Sequence, residues 1–243
     1  MNVKSIMAIG AATLCSAVFA DITSANVVGY KASDLQDGTT RIAPCFVDVG
    51  GETDGVDVTK IIPGGSYASG DIVISILDYA GRNIADYGYM VPRRGAPGWA
   101  NVDTGVALKE GEVVLAPGEG VSITGLDGLS VTSAGQVSTD DRVIALRDGT
   151  TPSGNCTAVP LDITSIIPGG SYNSGDIVIS ILDYAGRNIK DYGFMVPRRG
   201  TPGWADVDTG IAVAEGEVVF QPGEGFTVTG FDGLTITIPG PTL

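Results

Sequence analysis

Apolar side chains recur at every second position through most of this chain: Ile72, Ile74 and Ile76 alternate with Val73, Ser75 and Leu77. Val121 and Ile123 alternate with Ser122 and Thr124, and Leu129 and Val131 with Ser130 and Thr132. A period of two puts successive side chains on opposite faces of an extended backbone, so these segments are predicted strands. Turn signals separate them at Pro63-Gly64-Gly65, Ala80-Gly81-Arg82-Asn83, Pro97-Gly98, Pro117-Gly118 and Asp127-Gly128. Proline presets φ there and glycine accepts positive φ. Short strands broken this often predict an all-β chain of antiparallel sandwich or barrel-like form. Helical patterning is nearly confined to Asp57 to Pro63, where Asp57 or Thr59 caps one turn and Pro63 ends it, so one short helical turn per repeat is expected.

The pattern occurs twice. Setting Asp57 on Asp162 pairs residues 57–132 with residues 162–237, and 58 of the 76 paired positions are identical. A period of 105 residues is far above that of solenoid repeats, so each copy is long enough to enclose its own core. The expected organisation is a leader at 1–20, a β domain at 21–135 and a second at 136–243, tightly coupled because no Pro- or Ser-rich linker intervenes. Differences between copies that stay apolar point to buried positions. Leu115, Val121 and Leu126 become Phe220, Phe226 and Phe231, while Leu108 and Ile123 shrink to Val213 and Val228.

Lys4, the apolar run Ile6 to Val18 and the small-residue site Val18-Phe19-Ala20 form a secretory signal pattern. An exported protein is therefore expected, in the periplasm, at the cell surface or outside the cell. No later apolar run has the length of a membrane helix, so no membrane insertion is expected after cleavage. The formal net charge of −14 disfavours nucleic acid as a partner, because phosphate backbones are repelled. Cys45 and Cys156 follow matching landmarks, Leu35-Gln-Asp-Gly-Thr-Thr40 and Leu146-Arg-Asp-Gly-Thr-Thr151. In an oxidising compartment they are expected to form one disulfide if equivalent points of the copies meet at a pseudo-two-fold axis; the alternative is two buried thiols.

The chain has no histidine, which removes histidine-dependent triads, Cys-His dyads and histidine-ligated metals together. Asp103-Thr104-Gly105 recurs as Asp208-Thr209-Gly210, and aspartic proteases place one such motif on each of two lobes. Here Trp99-Ala-Asn-Val102 precedes the motif and Val106 or Ile211 follows it, so a turn between strands is the stronger expectation. The most site-like loops are Pro92-Arg93-Arg94-Gly-Ala-Pro-Gly-Trp99 and Pro197-Arg198-Arg199-Gly-Thr-Pro-Gly-Trp204. With Tyr87 and Tyr89, or Tyr192 and Phe194, on the preceding strand, they offer an aromatic platform for a sugar and cations for an acidic group. The competing reading puts Trp99 at the core edge and pairs Arg93 and Arg94 with carboxylates. An acidic insertion unique to the first copy, with Asp48, Glu52, Asp54 and Asp57, has calcium-type oxygens but no EF-hand order, so no metal and no cofactor are expected.

Ser24-Ala-Asn-Val-Val-Gly-Tyr30 and Pro117-Gly-Glu-Gly120 resemble motifs of a loose group of secreted tandem β-repeat proteins of environmental bacteria, a group with no established activity. The resemblance implies an exported β protein and transfers no catalytic residue. The leading expectation is thus a non-catalytic structural or adhesive component of the cell envelope or extracellular matrix. A carbohydrate-binding module using the Trp99 and Trp204 loops is the alternative, and an acid protease a remote third. Expected partners are glycans or other copies of the chain, whose opening strand at 21–34 could pair with a neighbour's sheet edge.

Overall fold

The computed structural model describes residues 28–47, 55–77, 83–137, 139–183, 185 and 187–241. The leader, most of the acidic insertion and the Ala80-Gly81-Arg82 turn lie outside these residues.

The first repeat begins with β1 (Val28–Asp34), β2 (Gly38–Ile42), β3 (Phe46–Val47) and β4 (Val56–Asp57). A 3₁₀ turn at Val58–Lys60 leads into β5 (Ile62–Gly64), β6 (Val73–Leu77) and β7 (Asn83–Met90). Then come β8 (Gly98–Asn101), β9 (Val114–Leu115), β10 (Val121–Gly125) and β11 (Ser130–Val137). The second repeat runs through β12 (Arg142–Ala145), β13 (Gly149–Gly154), β14 (Leu161–Asp162), a 3₁₀ turn at Ile163–Ser165, and β15 (Ile167–Gly169). It continues with β16 (Val178–Leu182), β17 (Asn188–Met195), β18 (Gly203–Asp206), β19 (Val219–Phe220), β20 (Gly225–Gly230) and β21 (Thr235–Ile238).

Each repeat is built on a five-stranded antiparallel sheet, ordered β2-β10-β6-β7-β8 in the first and β13-β20-β16-β17-β18 in the second. A smaller sheet, centred on β11 or β21, contributes to the same core. Ile74, Val121 and Ile123 of the larger sheet, with Ile72 just before β6, pack with Val131 and Phe46 of the smaller one and with Leu129 just before β11. Alternation along the strands thus closes one apolar interior per repeat, as the two-residue period required.

Four of the expected core positions are not buried: Leu108 and Val213 are half-buried, and Leu126 and Phe231 are exposed. Leu126 and Phe231 are 49% and 53% exposed, because each opens the Asp-Gly turn after β10 or β20 instead of lying on the strand face. Phe220 and Phe226 are buried as expected, with ring centroids 4.6 Å apart. The first repeat has Leu115 and Val121 at those positions, and its own added ring is Phe46, which stands where the second repeat has Thr157 and enters the core.

The 135/136 division falls inside β11, whose Gln136 and Val137 pair with Val47 and Phe46 and so belong to the first repeat. The opening strand is not unpaired along its described length, and it forms one edge of the smaller sheet. Residues Val28 to Asp34 pair with Gln136 to Ser130 of their own chain.

The repeats meet at equivalent places. Ala43 donates its backbone N–H to the Gly223 carbonyl at 3.0 Å, and Gly120 donates to that of Pro152 at 3.2 Å. Close approach requires glycine here: a Cβ on Gly120 would lie 2.5 Å from the Ser153 nitrogen, and one on Gly225 2.8 Å from the Arg41 carbonyl carbon. These contacts form a seam at one end of each large sheet, near Ile42 and Gly120.

Candidate functional site

Register places the arginine loops. Going along the large sheet from the seam, Leu77 pairs with Asn83, Val73 with Gly88, and finally Met90 with Gly98. The hairpin holding Arg93 and Arg94 therefore lies at the end remote from the seam, and the equivalent pairing of Met195 with Gly203 puts Arg198 and Arg199 at the far end of the second repeat. The loops point away from each other and share no groove. All four arginines are exposed, and none has a hydrogen bond or ion pair among the described residues. The expectation that they pair with nearby carboxylates is not met. Each loop is anchored at its base: Val91 and Val196 donate their N–H groups to Ser69 and Ser174 Oγ at 3.0 Å.

The tryptophans are core residues and not platforms. Trp99 and Trp204 are each 2% exposed. Their indole nitrogens donate to the carbonyls of Ile61 at 2.8 Å and Ile166 at 3.0 Å, which satisfies the one polar atom each buries. Edge-to-face contacts extend outward, Tyr67 to Tyr89 to Trp99 with centroids 5.6 and 5.2 Å apart, and Tyr172 to Phe194 to Trp204 at 5.7 and 5.4 Å. Burial raises the Tyr89 phenol above its ordinary pKa, with Tyr67 adding to the effect, and burial likewise raises Tyr192. Tyr87 and Tyr192 are half-buried against their cores.

An accessible concavity adjoins these residues in the second repeat. It is a groove of about 420 Å³ lined by Ile167, Pro168, Phe194, Pro202, Trp204 and Val213, with Thr164 and Thr201 at its polar edge. Thr201 and Pro202 belong to the hairpin that carries Arg198 and Arg199. Sequence reading named the arginines and aromatics but missed Ile167, Pro168 and Val213, which come from distant segments. The one signal available was the shrinkage of Leu108 to Val213.

The paired Asp-Thr-Gly motifs form turns. Gly105, at φ +67°, donates to the Asn101 carbonyl, and Thr104 donates its N–H to Asn101 Oδ1 at 2.9 Å. Asp206 serves the equivalent Thr209 at 2.8 Å. Asp103 and Asp208 are exposed, each beyond the outer strand of its own sheet, with β7 and β6 or β17 and β16 between it and the seam-forming strands. The carboxylates therefore do not converge, and the shared-proton arrangement of an acid protease is not formed.

Other acidic groups are occupied structurally. Asp57 Oδ1 accepts from the Thr59 N–H and hydroxyl, both at 2.8 Å, and Oδ2 accepts from the Gly111 N–H at 2.5 Å. Asp162, which has no insertion before it, makes the same contacts with Thr164 and Gly216. Although burial acts to raise the Asp162 pKa, these hydrogen bonds outweigh it and leave the carboxyl below its ordinary value. Asp57 is thus a cap, and Asp48, Glu52 and Asp54 lie outside the described residues. Among the described residues no cluster of three potential metal ligands occurs.

Cys45 and Cys156 are free thiols, each 2% exposed, and the expected bridge is not formed. Both thiols belong to their repeats' cores as small apolar groups, and the Cys156 sulfur also borders the seam, 3.5 Å from where a Cβ on Gly118 of the first repeat would lie. Burial pushes both thiols up to about 11, against the weaker pull of Lys31 on Cys45 and Arg142 on Cys156.

Compared with known proteins, the chain matches no family model, no curated protein and no solved structure.

Proposed function

We propose that this chain is an exported, non-catalytic structural or adhesive protein of the cell envelope or extracellular matrix, acting as a two-ended linker. The observation that supports this reading is the presentation of the same unpaired Arg-Arg hairpin at both ends of one body, on either side of a hydrogen-bonded seam. A guanidinium with no internal partner retains its full capacity for bidentate contact with an external carboxylate or sulfate. Two such ends on a coupled core let one molecule hold two partners at once, and simultaneous engagement raises avidity without new contacts. Export is supported by the leader pattern around Lys4, Ile6 to Val18 and Ala20.

Two measurements test the proposal. The amino terminus of the protein recovered from fractionated cells should be Asp21, in a compartment beyond the cytoplasm. Added to washed envelope fragments, the processed protein should clump them, whereas the Arg198→Glu/Arg199→Glu double variant should still bind but no longer bridge. Retention in the cytoplasm with the leader intact, or no attachment to envelope material, would remove the reading.

A further inference from the structure

We infer that the groove beside Trp204 is the adhesive site itself and takes a saccharide unit bearing an isolated carboxylate, such as one uronic acid among neutral sugars. The inference rests on the adhesive reading above and names its ligand.

Size comes first. About 420 Å³ lies at the lower end of the range for small-ligand sites, enough for one pyranose ring and part of a neighbour. Carbon-rich surfaces come next: Ile167, Phe194, Pro202 and Val213 offer C–H and ring-edge contacts suited to the apolar face of a sugar. Thr164 and Thr201 put hydroxyl-bearing side chains at the rim, where a sugar's own hydroxyls would lie. The hairpin that supplies Thr201 and Pro202 also supplies Arg198 and Arg199, both exposed and without internal partners among the described residues.

The rest of the molecule limits the charge of the ligand. A net charge of −14 repels a densely anionic polymer over a Debye length, while two guanidiniums attract one carboxylate at contact distance. The balance favours a sparsely charged saccharide over polyphosphate, nucleic acid or a homopolymer of uronic acid.

Comparison of the repeats points to the second as the stronger end. Val213 stands where the first repeat has the larger Leu108, which widens the groove, and Thr201 stands where it has Ala96, which adds a hydroxyl at the rim. Both changes fall on residues lining the groove.

The test uses the full processed chain, isotopically labelled, and a disaccharide of glucuronic acid and glucose. Saturable shifts are expected at the Thr201, Gly203 and Val213 amides. A neutral glucose disaccharide should bind at least about tenfold more weakly, as should the Arg198→Ala/Arg199→Ala variant. Val213→Leu, which restores the first repeat's residue, should weaken binding with both arginines retained and the fold intact. Absence of shifts at about 10 mM disaccharide overturns the inference, as does equal binding of the neutral sugar or equal binding of cyclohexanecarboxylate. Clumping of envelope fragments without disaccharide binding would sink this site and spare the linker; disaccharide binding without clumping would do the reverse.

Discussion

Ala43 and Gly154 occupy equivalent places in the two repeats and touch across the seam: a Cβ on Gly154 would lie 2.6 Å from that of Ala43. Contact between equivalent residues is the mark of a two-fold axis, here within one chain, and the close backbone approaches of Gly120 to Pro152 and of Gly225 to Arg41 are related in the same way. The carbon added at Gly154 would also lie 2.5 Å from the Glu224 carbonyl oxygen, a backbone atom that cannot swing aside.

Gly154→Ala should therefore destabilise the protein by about 1–3 kcal/mol through steric strain. Gly98→Ala, where nothing lies within 4 Å, should cost far less. Differential scanning calorimetry of both variants checks this, and equal melting temperatures would contradict the seam geometry.

Asn155 is the most fully satisfied buried side chain at the seam. Its Nδ2 donates to the Val159 and Phe220 carbonyls at 2.8 and 2.9 Å, and its Oδ1 accepts from the Thr157 N–H and hydroxyl, both at 2.8 Å. Asn155→Ala leaves these partners without it in a closed interior, and a loss of about 1–3 kcal/mol is expected in urea unfolding. The first repeat has Pro44 in the equivalent place, so the effect should be specific to this position.

The buried thiols should be inert in the native state. With pKa values pushed up to about 11 and almost no exposure, Cys45 and Cys156 present little thiolate below strongly alkaline pH. An aromatic disulfide reagent at mildly alkaline pH should label neither in the folded, processed protein and both after unfolding. Fast labelling of the folded form would refute their burial.

Lys190 and Asp206 form an ion pair across β17 and β18 that the first repeat, with Ala85 and Asn101 at these positions, does not have. The Lys190 hydrogen bond, with support from the Thr209 N–H, lowers Asp206 to about 2. A depressed folded pKa contributes stability that is complete above the ordinary value of 3.8 and disappears as pH falls from there through about 2. Lys190→Ala should flatten this part of the pH-stability profile. Melting curves across the window, with a carboxylate titration by NMR, provide the measurement; identical profiles for the two proteins would count against the pair.

Much of this architecture can be read from local pattern. Alternation at Ile72 to Leu77 and Val121 to Thr124 appears in the structure as β6 and β10, and the Asp57 cap of a single turn appears in both repeats. Such features depend on neighbouring dihedrals and on side chains within a few positions, information carried by adjacent letters. The duplication, the acidic charge and the arginine-bearing loops are equally plain in the linear text.

Burial at the ends of strands is another matter, because it depends on what arrives from far along the chain. Trp99 is buried with its indole nitrogen on the Ile61 carbonyl, and Phe46 joins the core of the first repeat whereas Phe220 and Phe226 join that of the second. Leu126 and Phe231 look like core residues by composition but open turns that no element covers. The groove at Trp204 and the seam at Ala43 and Gly154 likewise join segments tens of residues or more apart. Periodicity assigns a side chain to a face of its strand; folding alone chooses what that face meets, since shielding from water is a property of the packed assembly and not of the segment.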